Sequence, residues 1–233
     1  MRVAVLADIH GNLPALEAVL TEVESERPDL IVSCGDVAAG PLPAETIELL
    51  RALPNARFVR GNADALEGWA AEQVSAEQRE FLAGFEGTVT VEIDGLGRVL
   101  FCHGSPRSDV EVMLVDTPED RMRELLDGVE ANVVVCGHTH MPFDRMVEGV
   151  RVVNPGSVGM PYGEPGAFWA LLGPDVRMRR TDYDREAAAA RIRASTWPRA
   201  REFASENVLA VASLEEAMAY MRDYDLKQRS GAR

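Results

Sequence analysis

All four histidines of the sequence lie in short motifs: Asp8-Ile9-His10, Cys102-His103-Gly104 and Gly137-His138-Thr139-His140. Gly35-Asp36 and Arg60-Gly61-Asn62 fall between the first and the second of these. Imidazole, carboxylate and amide oxygen together make the ligand set of a hydrolytic transition-metal centre. The pair His138-Thr139-His140 carries most signal, because two histidines one residue apart after an apolar run have little structural reason to be there. Asp8-Ile9-His10 and Gly35-Asp36 are weak alone: the first is often a solvated loop, the second an ordinary turn. The chemical reading of Asp36 is a carboxylate whose two oxygens bridge two cations, with Gly35 permitting close backbone approach. Gly61-Asn62 reads either as a left-handed turn or as an amide ligand.

Each of the five motifs follows an apolar run that reads as a buried strand, at residues 3–7, 30–34, 58–59, 99–102 and 133–136. Strands of one sheet that run the same way deliver their C-terminal loops to one edge. Residues more than a hundred positions apart can therefore meet there. Helices are expected over 14–26, where Leu16, Val19, Leu20 and Val23 recur at helical spacing, and over 44–51. Two more are expected, at 76–85 behind Ser75 as N-cap and at 118–128 behind Thr117 as N-cap. Asp94-Gly95-Leu96-Gly97 and Glu148-Gly149 read as hairpin turns, and two further strands flank Gly173-Pro174. Strand-rich stretches on both sides of the helix at 118–128 call for two packed sheets with helices outside. From Asp184 the texture becomes helical and alanine-rich, broken at Trp197-Pro198, with 226–233 as a frayed tail.

In order, Asp-x-His, Gly-Asp, Gly-Asn-x-Asp, His-Gly and Gly-His-x-His resemble the calcineurin-like metallophosphoesterases, over about residues 1–160. Within them the chain is similar to a small bacterial group beginning Asp-Ile-His-Gly-Asn, related to bacterial phosphodiesterases and serine/threonine phosphatases. The resemblance implies an α/β fold, a four-layer α/β/β/α sandwich of two mixed sheets. A domain over 1–181 would then carry a helical C-terminal extension over 182–233. It also implies two divalent ions, one held by Asp8, His10 and His140, the other by Asn62, His103 and His138, with Asp36 bridging. Manganese, iron, zinc, cobalt and nickel all suit such ligands. Hydrolysis of a phosphate ester by a metal-bridging hydroxide follows, with Asp36, Asn62, Arg60 and Asp64 as candidate catalytic residues. Arg60 resembles an arginine that contacts phosphate in phosphoprotein phosphatases; its bland alternative is a surface salt bridge. Asp64 is a candidate acid or, equally, the N-cap of a helix over 65–71.

One position departs from the family. Its usual Gly-Asn-His-Asp or Gly-Asn-His-Glu is here Gly61-Asn62-Ala63-Asp64, and the histidine that assists the leaving group is missing. A phosphodiesterase acting on esters with good leaving groups is therefore preferred to a phosphomonoesterase or serine/threonine protein phosphatase. A silent binding module, such as the relatives resembling retromer subunits, is disfavoured because all seven ligand positions hold coordinating side chains. Asn154-Pro155-Gly156-Ser157-Val158-Gly159 resembles the family's closing loop and is assigned a structural role, while Met160-Pro161-Tyr162 is placed to line the pocket.

Composition limits the partners. The chain of 233 residues has a formal charge of −14 and no basic stripe, which argues against an extended nucleic-acid surface; the small phosphate-ester substrate that the resemblance implies must then be drawn in locally, by metal and arginine. Its longest apolar stretches are of strand length, so no membrane span is expected, and no leader pattern precedes the first strand. Cys34, Cys102 and Cys136 are odd in number and read as buried core residues of a protein in the reducing cytoplasm. Lys227 is the lone lysine, which leaves lysine-based catalysis without a candidate elsewhere. Residues 182–233 could cap the cleft or form a homo-oligomer interface.

Overall fold

The computed structural model describes residues 1–230. Its architecture follows from alternation along the strands, whose successive side chains face opposite ways. In β1 (Val3–Leu6), Val3 and Val5 enter one apolar cluster and Ala4 and Leu6 another. β2 (Leu30–Ser33) pairs parallel to β1, and β3 (Ala56–Phe58) parallel to β2. β4 (Val89–Ile93) and β5 (Gly97–Phe101) make the hairpin expected around Asp94–Gly97, with Gly95 and Gly97 both at positive φ. β6 (Val133–Val135) pairs parallel to β5, and the hairpin of β7 (Phe143–Val147) and β8 (Val150–Asn154) turns at Glu148-Gly149. β9 (Ala167–Leu172) lies antiparallel to β1 on its other side and is followed by β10 (Val176–Thr181).

Two mixed five-stranded sheets result, in the orders β10-β9-β1-β2-β3 and β4-β5-β6-β8-β7. Val3, Val5 and Val32 of one sheet and Val99, Phe101, Val133 and Val135 of the other form the apolar layer between them. The outer face of the first sheet, carrying Ala4, Leu6, Trp169 and Leu171, is covered by α1 (Leu13–Glu26), α2 (Pro43–Arg51) and α4 (Ala76–Ala83), while α3 (Gly68–Gln73) buries no side chain. Trp169 is fully buried, and its indole N–H donates to Thr181 Oγ1, so the ring costs no unsatisfied polar group. On the second sheet's outer face, Cys102, Val134, Cys136 and Val152 pack against Met122 and Leu125 of α5 (Glu119–Leu125). This is the expected four-layer α/β/β/α sandwich, and the three cysteines are free and buried as expected.

Four local expectations need correction. The five motif-bearing strands do not share one sheet: β1, β2 and β3 lie in the first, β5 and β6 in the second. Thr117 is not an N-cap, because its hydroxyl accepts from Leu114 N and Pro118 occupies the cap position of α5. Asp64 caps no helix either; α3 starts later, behind Glu67, and the Asp64 carboxylate is used elsewhere. The frayed tail is helical at least to Ser230, since α8 (Leu214–Ser230) runs through it; residues 231–233 lie outside the described residues. Ser75 does cap α4, in a reciprocal capping box with Gln78. Between β10 and α8 lie α6 (Arg185–Arg193) and α7 (Ala200–Phe203), which runs into a π-helical turn over Ala204–Leu209. Ala188, Ala189, Ile192 and Phe203 from this stretch pack on Leu13 and Leu42.

Candidate metal centre

β1, β2 and β3 end in the loops that carry Asp8 and His10, Asp36, and Arg60 to Asp64; β5 and β6 end in those of His103 and of His138 and His140. Backbone hydrogen bonds lace these loops together. Asp8 N donates to Gly35 O, His10 N to Asp36 O, and Gly137 N to His103 O. Two groups of side chains converge as a result: Asp8, His10 and His140, and Asp36, His103 and His138, with each group's ligand atoms within 4.8 Å of one another. Asn62, the seventh expected ligand, places Oδ1 3.0 Å from His103 Nε2. The expected ligands thus converge where the C-terminal ends of strands from both sheets meet.

The imidazoles are oriented from behind. His103 Nδ1 lies 2.7 Å from Cys34 O, His140 Nδ1 2.8 Å from Met160 O and His10 Nδ1 3.3 Å from Ala39 O. A carbonyl can only accept, so Nδ1 carries a proton in all three, and in the neutral His10 and His140 rings Nε2 presents a lone pair. Those lone pairs converge: His10 Nε2 and His140 Nε2 stand 3.2 Å apart. Two such lone pairs repel unless a cation or a proton sits with them. The buried atoms Asp8 Oδ2 and His138 Nε2 have no hydrogen-bond partner, which is costly unless something else satisfies them. Convergent lone pairs, orphaned donor atoms and a mixed imidazole–carboxylate–amide set fit two divalent cations.

Charge makes the same demand. Burial pushes the Asp8 carboxyl well above the usual carboxylate range and lowers the imidazoles of His10, His140 and His138, the last to about 4. Burial also opposes ionisation of Asp36, but His103 and His10 outweigh it and hold this carboxyl below its usual range. His103 is disfavoured as a cation by burial, yet the Asp36 charge raises it to about 10. Three of the four imidazoles are thus held neutral, the state that ligates metals, while His103 carries its extra proton against the Asp36 carboxylate.

Asp36 differs in one respect from the expectation of two bridging oxygens. Oδ1 accepts from Ala63 N at 2.7 Å, and Oδ2 alone faces both groups, 3.4 Å from His103 Nε2 and 3.7 Å from His10 Nε2. Asp64 is buried behind it and accepts from three backbone N–H groups, of Asp36, Val37 and Gly61. Burial first, then the Asp36 charge, raises its carboxyl to about 6. Fully engaged with backbone, Asp64 ties the Asp36 loop to the Asn62 loop. Gly61 is required by proximity, since a Cβ there would lie 2.2 Å from Asp36 Oδ1. Asn62 is not among the positive-φ residues, so the left-handed-turn reading of Gly61-Asn62 fails.

Left-handed backbone appears instead at the ligands. Asp8, His10, Asp36, His138 and His140 are five of the eight non-glycine residues with positive φ among the described residues. Such conformations are costly for side-chain-bearing residues and cluster where function holds them. The closing loop sustains them: Ser157 Oγ donates to Asp8 O, Gly159 N donates to Asp8 O, and Asn154 Nδ2 donates to Gly137 O. Asn12 Nδ2 donates to Gly159 O while its Oδ1 caps α1. Sequence reasoning missed this role of Asn12; its place just before Pro14 was the available signal.

Arg60 is exposed and has no ion pair among the described residues, which removes its salt-bridge alternative. With His103, Thr88, Ser105 and Ser108 it lines a hollow of about 340 Å³ beside the second ligand group. Tyr162 stacks on His140, ring centroids 5.6 Å apart, as its expected pocket position requires. Tyr224 of α8 lies against His138 and was not anticipated, for nothing in the sequence around it points to the site. No described helix is long and apolar enough to cross a membrane.

Comparison with known proteins agrees with this geometry. A family model for the calcineurin-like phosphoesterase superfamily domain matches residues 1–173. The phosphodiesterase YfcE of Escherichia coli is 29% identical over 189 residues, which cover 76% of this chain and 89% of that protein. An uncharacterized protein of Methanocaldococcus jannaschii is 28% identical over 229 residues, 82% of this chain and 91% of its own. Among solved structures, a metallophosphoesterase from Sphaerobacter thermophilus superposes with a TM-score of 0.71 at 28% identity, covering 90% of this chain and 98% of that one.

Proposed function

Because the chain belongs to the calcineurin-like phosphoesterase superfamily, we propose that this metal-dependent phosphoester hydrolase acts on small phosphodiesters at the Asp8–His140 and Asp36–His138 centre. One observation carries the ligand assignment: the buried atoms Asp8 Oδ2 and His138 Nε2 have no partner within groups whose lone pairs converge. Asp8, His10 and His140 would hold one divalent ion, Asn62, His103 and His138 the other, and Asp36 Oδ2 both. Two such ions supply Lewis acidity toward phosphate oxygens and an acidified water as nucleophile.

The chain's own residues do the rest. Arg60, unpaired at the rim of the hollow, binds a phosphoryl oxygen and places the ester against the centre. The carbonyls of Ala39, Cys34 and Met160 hold a proton at Nδ1 of His10, His103 and His140 and so fix the direction of each Nε2. Asp64, with its oxygens on backbone N–H groups, acts as a positioning residue for Asp36 and is poorly disposed to give up a proton to a leaving group. We also read 182–230 as an extension packed on the phosphoesterase domain, since its helices bury Ala188, Ile192 and Phe203 on Leu13 and Leu42. Three free buried cysteines support a reducing, cytoplasmic setting.

The preference for diesters rests on Ala63, where no side chain can protonate an expelled group; the phosphodiesterase name of the Escherichia coli relative supports it. On manganese-loaded protein, kcat/KM for bis-p-nitrophenyl phosphate should exceed that for p-nitrophenyl phosphate by about tenfold or more. A faster monoester would replace this reading by a phosphomonoesterase or protein phosphatase. The missing acid gives a second expectation. Ala63→His should raise turnover of an ester with a poor leaving group, such as methyl phenyl phosphate, by about 10²-fold relative to its nitrophenyl analogue. An unchanged ratio would mean that another group already serves as acid.

A further inference from the structure

The C-terminal helix takes part in shaping the centre. Tyr224 of α8 sets its ring 5.6 Å from that of His138, inclined at 62°. Tyr162 stacks on His140 at the same separation and 22°. A histidine of each ligand group is therefore in contact with a tyrosine ring. The helix is fastened where it needs to be for this. Ala217 and Met221 bury against Val112, Leu114 and Met141. Arg222 pairs with Asp116, and Asp225 lies 3.7 Å from the largely buried Arg121 guanidinium. Asn62 and Arg60 are exposed beside the same ligand group, and the hollow of about 340 Å³ opens at Arg60 and His103, near the lower end of volumes that enclose a small ligand.

We propose that Tyr224 is a specificity-determining residue: its ring on His138 closes the α8 side of the centre. Esters then enter past Arg60 and Asn62, and a diester with a bulky second substituent is rejected. This rests on the phosphoesterase reading above and refines its substrate class to compact diesters, as opposed to phosphorylated side chains on folded proteins. A tyrosine ring suits a wall because two χ angles fix a large area with little conformational freedom. Removing it opens space beside the second ligand group while every ligand stays in place.

The test compares two diesters with one leaving group, so that bond cleavage is constant and only the retained substituent differs. These are methyl p-nitrophenyl phosphate and thymidine 5′-(p-nitrophenyl phosphate), assayed with manganese-loaded full-length protein. Tyr224→Ala should raise the bulky-to-compact ratio of kcat/KM by about tenfold or more, and Tyr224→Phe should keep the wild-type ratio. Tyr224→Val serves as a second opening variant if the alanine protein fails to fold. A ratio that stays constant in the opened variants overturns the wall. So does an equal shift in Tyr224→Phe, which would assign the effect to the hydroxyl. Calorimetric titration with inorganic phosphate and phenylphosphonate reads the wall without turnover: opening should tighten the phosphonate relative to phosphate. Wild-type protein that binds two manganese ions but cleaves neither ester would overturn the phosphoesterase reading, while the phosphonate-to-phosphate ratio would still decide the role of Tyr224.

Discussion

Asp36→Asn is expected to lower kcat/KM for bis-p-nitrophenyl phosphate by about 10³-fold or more, which corresponds to about 4 kcal/mol of transition-state stabilisation. The substitution is nearly isosteric, so its effect is electrostatic. Oδ1 already accepts from Ala63 N, and an asparagine would keep that bond through its carbonyl. The amide NH₂ would then replace Oδ2, the one atom that faces both His103 and His10. A donor with no anionic charge would stand in a buried position between the two ligand groups. Metal content should fall with activity, from two ions per chain toward one or none. Steady-state kinetics with metal analysis by plasma emission checks both. Turnover within tenfold of wild type, with two metals still bound, would exclude Asp36 as the shared ligand.

Stripping metal from the protein is the second large perturbation. Chelation should abolish turnover and manganese should restore it, but the more informative outcome is thermal. His10 Nε2 and His140 Nε2 meet at 3.2 Å, Asp8 Oδ2 and His138 Nε2 lack partners, and five residues of the centre hold left-handed backbone. Each feature destabilises the metal-free fold, and cation binding relieves the first two. Free manganese at a hundredfold excess over its Kd stabilises the folded state by about 2.7 kcal/mol per site. For a domain of this size that is a rise of about 5–10 °C in Tm, readable by scanning calorimetry. An unchanged Tm would mean that the pocket is satisfied by protons alone. Mutating His138 or His140 should reduce the rise, whereas a surface change such as Arg199→Ala should not.

The order of the motifs was legible because the chemistry sits at strand ends. Val3, Val5, Val32, Val99, Val133 and Val135 announce buried strands by composition, and parallel strands within each sheet carry their following loops to that sheet's C-terminal edge. That rule gathers the loops of each sheet, and it was the order of the motifs, through its resemblance to a family, that joined His10 to His103, His138 and His140. The two-sheet sandwich was legible for the same reason, together with hairpin turns at Asp94–Gly97 and Glu148-Gly149 that only positive-φ backbone can close.

What the sequence carried by itself was the candidate set of residues, the sandwich that brings them together, and the absence of a side-chain acid at Ala63. What tertiary structure decided was how those residues are held. Asp64 reads as a helix cap until the Asp36 and Gly61 loops come together and claim its oxygens. Asp36 has two equivalent oxygens in sequence, and only the approach of Ala63 N occupies one and leaves the other facing His103 and His10. The left-handed turns at the ligands follow from Ser157, Asn154 and Asn12 binding across the loops, and Tyr224 reaches His138 only because α8 docks on Val112, Leu114 and Met141. Local pattern encodes strand ends because periodicity and burial are properties of a few neighbouring residues. Partner choice for a carboxylate, a carbonyl or a ring is a property of distant segments meeting, and no window of sequence contains it.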